Sequence, residues 1–178
     1  MSYAELEQFQ RYLNLGDHEL SEVDLADLQD VLDDAAAHID EECNRTFTVP
    51  EGTTTRTYPV VDRTVFVDDI SDPESIVVEV GGTEVDWSYD PPSFGRPVTT
   101  LTVDTTATRV DVTGPFGWAA TPRQIVRANL IMAHRLYKRA DTPSGVGGFD
   151  AAGAVVRMPW RDPDVVKLLA PFRKVTVA

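Results

Sequence analysis

The chain has 178 residues, 42% of them apolar and 25% charged, with a formal net charge of −13. That composition suits a globular domain, or a domain carrying an insertion, and argues against wholesale disorder. No run of about 18 apolar residues occurs, so nothing is expected to span a membrane, and the net charge disfavours ordinary binding to a phosphate backbone.

The amino-terminal stretch MSYAELEQFQ lacks a basic segment followed by an apolar core, so it does not read as a secretion signal, and synthesis in a cytoplasm is expected. A first helix is predicted over Tyr3 to Leu13, with Leu6, Phe9 and Leu13 on one face and Gly16 as its stop signal. A second starts after Ser21, an N-cap with Asp24 at the capping-box position, and runs to about Asn44. Its residues Leu25, Leu28, Leu32, Ala35, Ala36, Ile39 and Cys43 recur at helical spacing, and Asp27, Asp30, Asp34 and Glu41 fall opposite them. Cys43 is the sole cysteine, and in that stripe it reads as a small hydrophobe.

From Thr53 to Thr113 the hydrophobic period changes to two and threonine and valine become frequent, which predicts five or six strands. Strands are expected at Arg56 to Val61, Thr64 to Asp68, Thr99 to Asp104 and Arg109 to Thr113. In IVVEV the residues Ile76, Val78 and Val80 share a face, as do Val85, Trp87 and Tyr89 in TEVDWSY, with Gly81-Gly82 as the hairpin turn between these two strands. Helical spacing returns at Thr121-Pro122-Arg123-Gln124, read as cap, first helical proline and capping box, and continues to about Ala140. This helix has a wide apolar face, suited to two neighbours, and a basic one of Arg123, Arg127, His134 and Lys138. The loop DTPSGVGGFDAAG is too glycine-rich for regular structure; a short strand from Val155 to Met158, a helix capped by Asp162-Pro163-Asp164, a stop at Pro171 and an extended arm FRKVTVA follow.

Signs of catalysis are few. Asp68, Asp69, Asp72 and Glu74 are the one carboxylate cluster that could hold a divalent cation, but they lack the glycine and distal glutamate of a calcium loop. His18, His38 and His134 have no metal-ligand spacing. Gly145, Gly147 and Gly148 are not followed by the lysine of a phosphate loop, and Ser144-Gly145 is not a nucleophile elbow. Trp87, Trp118 and Trp160 are the residues a glycan-stacking module would use, though each sits in an apolar pattern where core packing is commoner. The expectation is a non-enzyme without metal or cofactor, with a β-rich binding module for glycan or protein as the alternative.

In order along the chain, IDEECNRTF, a β insertion, VDVTGPFGW, TPRQIVRANLIMAHRLYKRADTPSGVGGF and WRDPDVVKLLAPFRK resemble the head-to-tail adaptor, or head-completion, proteins of tailed phages, particularly actinobacterial siphophages. The resemblance implies an α+β fold, with a helical adaptor core from residues 1–52 and 118–178 and an inserted small antiparallel β sandwich or barrel over 53–117. It implies a structural virion protein of the neck, a ring of twelve copies docked below the portal protein. The ring would present a surface to a stopper or tail-terminator protein, and DNA would be only transient channel content; a stopper-like or tail-terminator role is the neighbouring reading. A ring needs two different patches that meet on neighbouring copies, and the acidic face of Asp27, Asp30, Asp34 and Glu41 and the basic face of Arg123, Arg127, His134 and Lys138 are the candidate pair. For docking to the portal or the next neck protein, the candidates are Gly145, Val146, Gly147, Gly148 and Phe149 in the loop and Phe172, Arg173, Lys174 and Val175 in the tail.

Overall fold

The computed structural model describes residues 2–15, 20–92, 95–140, 146–149, 155–157 and 162–174. The chain divides into two compact units, one made of 1–46 and 122–178 and the other of 47–121. The fold is α+β: helices dominate the first unit and two antiparallel sheets make the second.

In the helical unit, α1 spans Leu6–Leu13, α2 Glu22–Cys43 and α3 Arg123–Ala140, and α4 spans Pro163–Leu169. The ends of α2 follow the sequence closely: Ser21 and Asp24 form the capping box, and Asn44 closes the helix in the left-handed region at φ 51°. Helix α1 is stopped by Asn14, also left-handed at φ 55°, and not by Gly16, which lies outside the described residues. Asn serves here because its short polar side chain tolerates that conformation better than most. Before α3 the expected cap is displaced. The Thr121 hydroxyl donates to the Phe47 carbonyl at 3.0 Å, and it is the Pro122 carbonyl that accepts the first helical N–H groups, from Ile125 and Val126. Asp162 caps α4 by accepting from the Asp164 and Val165 N–H groups, and Pro171 ends it in a single 3₁₀ turn, Ala170–Phe172.

One core of this unit gathers Ala4, Phe9, Leu28, Leu32, Ala35 and Ala133, with the half-buried Tyr12, Val126, Leu130 and Leu136 packed on it. Inside lies a polar side chain, Asn129, fully buried. Its Oδ1 accepts from the Tyr3 and Ala4 N–H groups at 3.2 and 2.9 Å, and its Nδ2 donates to the Leu32 carbonyl at 3.0 Å. One amide therefore ties the segment before α1 and the middle of α2 to α3. Cys43, also fully buried, behaves as a hydrophobe, and burial pushes its thiol up to about 11.

In the β unit the strands are β1 Thr54–Pro59, β2 Thr64–Ile70, β3 Val77–Val80, β4 Thr83–Glu84, β5 Trp87–Ser88, β6 Val98–Val103 and β7 Arg109–Gly114. One sheet has the order β1-β7-β3-β4 and the other β2-β6-β5. Alternate residues from both, including Val65, Val67, Val78, Leu101, Val103, Val110 and Val112, make a single core, so the sheets form a sandwich and do not close into a barrel. Gly81-Gly82 is the turn of the β3–β4 hairpin, with φ of 59° and 81°. The segment TEVDWSY departs from the single strand expected of it. Thr83–Glu84 pair with β3 in one sheet, whereas Trp87–Ser88 pair with β6 in the other. Val85, Trp87 and Tyr89 still share a half-buried face, because all three pack on the core that both sheets enclose.

The ends of the β unit are joined to each other. Phe47 and Trp118 are buried with ring centroids 5.2 Å apart, the Trp118 N–H bonds the Thr48 carbonyl, and the Trp118 Nε1–H donates to the buried Asp69 at 3.1 Å. Gly117 makes this closure possible: its φ is +151°, its N–H reaches the Asp69 carbonyl, and a Cβ there would lie 2.5 Å from the Thr48 carbonyl oxygen.

Two substitutions test these assignments by chemical denaturation. Gly117→Ala should destabilise the chain by about 2 kcal/mol or more, since backbone and not a side chain must yield. Asn129→Ala should cost about 3 kcal/mol by removing the buried acceptor of the Tyr3 and Ala4 N–H groups and the tie to the Leu32 carbonyl. A loss below about 1 kcal/mol in either variant would contradict the role given to that residue.

Candidate functional site

Helical geometry places Asp27, Asp30, Asp34 and Glu41 on one stripe of α2, opposite the buried Leu28, Leu32, Ala35, Ala36, Ile39 and Cys43. All four are exposed and form no ion pair among the described residues. Like charges at this spacing repel, by a few tenths of a kcal/mol per pair in isolated helices. The stripe thus costs the helix a little stability, with no ion pair among the described residues to offset it, although Glu41 at its end also borders a groove shared with α3 and α4.

On α3, Ile125, Ala128, Asn129 and Ala133 are buried, and Arg123, Arg127, His134 and Lys138 lie on the opposite side. Because α2 and α3 turn their buried residues to one another, the acidic and basic stripes look away from each other. The chain does not bring the two sets together; it holds them on opposite sides of one helix pair.

The basic face is more built than the sequence suggests. The Arg127 guanidinium lies over the Tyr12 ring, 5.0 Å from its centroid, and His134 meets the same ring edge-on at 5.6 Å. Burial, and then the neighbouring Lys138, hold His134 below its ordinary value. At neutral pH it is an uncharged member of the face, and Arg123, Arg127 and Lys138 carry the charge. Arg11, next to Tyr12 in the sequence, is exposed in the last turn of α1.

The proposed docking segments divide. Gly145 and Val175 lie outside the described residues. Val146, Gly147, Gly148 and Phe149 are not irregular: they form a strand, β8 (Val146–Phe149), paired antiparallel with β9 (Val155–Arg157), which gives the glycine-rich backbone hydrogen-bond partners. Nor does the chain leave the helical unit as an arm at Phe172. Phe172 is buried, Arg173 pairs with Glu42, and the Lys174 N–H donates to the Cys43 carbonyl at 2.9 Å, so the segment is seated on the end of α2.

Sequence reading also missed the polar pairs that seat α4. Arg135 and Asp162 form a largely buried ion pair at 2.5 Å. Burial opposes the charge on Asp162, but hydrogen bonds from the Asp164 N–H, Arg135 and the Val165 N–H prevail and hold its carboxyl below the usual range. With Arg173 and Glu42 at its other end, this pair borders a groove of about 590 Å³ between α2, α3 and α4, floored by Met132, Leu136, Val165, Val166 and Leu169.

The residues considered for chemistry are engaged elsewhere. Asp68 accepts from Arg56 at 2.7 Å and from the Tyr58 hydroxyl at 2.9 Å, while Asp69 receives Trp118. Burial pushes the Tyr58 phenol up to about 12. Among the described residues no group of three or more His, Cys, Asp or Glu could hold a metal ion. Trp87 stacks on Tyr89 against the sandwich core, Trp118 is buried, and Trp160 lies outside the described residues, so the described tryptophans make no common platform.

No family model and no curated protein matches the sequence. Solved structures do match the fold. The chain is similar to one in a structure described as the neck of an empty gene transfer agent (GTA) particle computed with C6 symmetry, at 19% identity and a TM-score of 0.58, over 99% of this chain and 92% of that one. A chain in the virion of the native gene transfer agent particle matches at 19% identity and a TM-score of 0.56, over 99% and 92%. Another, in the neck of the native particle computed with C12 symmetry, matches at 17% identity and a TM-score of 0.51, over 99% and 91%. At such identities the likeness establishes a shared fold.

The state of His134 can be followed by NMR titration. Its midpoint should lie below that of an unhindered histidine and rise in Lys138→Ala, only part of the way because burial is the larger cause. Since the folded form resists protonation, His134 contributes stability that is present above its unfolded pKa and lost as pH falls through the folded one. A midpoint at or above the ordinary value would refute this account of the face.

Proposed function

We propose that the chain is a structural subunit of the neck of a tailed-phage-like particle. In this reading it is an adaptor that docks in a ring below the portal protein, offers its far surface to a stopper or tail-terminator protein, and lets DNA pass through. The observation that carries the reading is the extent of the fold likeness: both units match, over 99% of the chain, structures described as particle necks. The C12 symmetry named for one of them supports a ring of twelve.

The physical features agree with this assignment. A ring subunit needs two different surfaces, one for each neighbour, and this chain holds acidic and basic faces on opposite sides of α2 and α3. A net charge of −13 suits a subunit past which DNA must slide without sticking. The carboxylates and tryptophans first considered for chemistry, Asp68, Asp69, Trp87 and Trp118, are engaged in hydrogen bonds and packing, which favours a structural part over a catalyst.

The test is the protein content of purified particles. The chain should be present at about twelve copies per particle, and electron microscopy should place it in the neck in contact with the portal. Its absence from purified particles would refute the neck assignment. Contact only with tail proteins would refute the adaptor assignment and favour a stopper or tail-terminator role.

A further inference from the structure

The two charged faces match in more than sign. The acidic stripe from Asp27 to Glu41 extends about 21 Å along α2, and the basic one from Arg123 to Lys138 about 22 Å along α3. Each also carries an apolar element. Val23, 69% exposed, continues the acidic stripe by one turn toward the start of α2, and the half-buried Tyr12 lies within the basic face beneath Arg127. Exposed ion pairs alone contribute only about 0 to 1 kcal/mol each, so a stable contact needs apolar area beside the charges. Val23 and Tyr12 supply it.

We propose that the basic face of α3 from Arg123 to Lys138, together with Tyr12 of α1, receives the acidic stripe of α2 from a second copy of this chain. The contact is heterologous, because the stripe and its receiver lie on different sides of each copy, and it repeats from copy to copy until the ring closes. Helix α1 thereby has a role beyond covering the core. It supplies the aromatic ring that holds Arg127 in place, and a guanidinium laid on a ring loses less freedom when it binds a carboxylate than one free in water. The acidic stripe's cost to its own helix is then recovered between copies.

This proposal rests on the ring reading, and one set of variants separates the two. Asp30→Lys with Asp34→Lys, and separately Arg123→Glu with Arg127→Glu, change only exposed positions, and circular dichroism should show both chains folded. Particles made with either should contain at least about ten-fold fewer copies of the chain, the equivalent of losing about 1.4 kcal/mol per contact. The four substitutions combined should restore incorporation to near the wild-type level, which a folding defect would not do. Tyr12→Ala should lower incorporation, and Tyr12→Phe should not.

Wild-type incorporation by either charge-reversed chain, or no recovery in the combined chain, would overturn the pairing while leaving the neck assignment intact. If the unaltered chain is itself missing from particles, the neck assignment is what fails.

Discussion

The helical unit depends on one buried amide. Asn129 is the point at which three separate stretches of chain are held in register, because its two ends bond the residues ahead of α1 and the carbonyl of Leu32 in mid-α2. A buried polar group of this kind tolerates one arrangement: if α1 or α2 slides by a residue, donors and acceptors are stranded in an apolar core at a cost of about 1 to 3 kcal/mol each. The placement of the charged faces follows from it. Tyr12 reaches Arg127 and His134 because α1 is registered on α3, and the acidic stripe faces outward because α2 is locked by its Leu32 turn.

The β unit is organised on a similar plan with different chemistry. Its sandwich core is mainly valine, with Ile70, Ile76 and Leu101, which many registers could satisfy, and the specificity comes from Asp69, Trp118 and Gly117 at one end. The bulge in β2 between Phe66 and Ile70 brings Asp69 to the indole, and a residue without a side chain lets the segment after β7 lie against Thr48. On the open side, Arg56 and Tyr58 of β1 bond Asp68 of β2, joining edge strands of different sheets, and Arg56 also covers the Phe116 ring.

Much of this is local and could be read from the chain. The Ser21 and Asp162 caps, the Gly81-Gly82 turn and the alternating strands depend on a few neighbouring residues, and the sequence states them directly. The errors arise where a distant partner decides. Thr121 has the chemistry of a helix cap, but the Phe47 carbonyl 74 residues away takes its hydroxyl. TEVDWSY alternates like one strand, yet its halves find different partners, and VGGF gains β structure from a segment that follows it. The same limit applied to the candidate site. The sign and spacing of both stripes were visible, whereas Tyr12, Arg135 and the seat of Phe172 were not, since each takes its meaning from a residue on another element. A non-glycine pair at positive φ, Asp62-Arg63, makes a two-residue turn between Val61 and Thr64 that no composition rule would flag.

The bond between Thr121 and Phe47 has one further consequence. It makes the entrance and exit of residues 47–121 adjacent, so the path of the chain leaves the helical sequence and returns to it at one place, as at the scion point of a graft. A piece inserted in that manner can lengthen, shorten or change its surface over evolutionary time without moving the two points at which it joins the helical sequence. Related chains can therefore diverge most in their strands while keeping the helices and the Asn129 clamp.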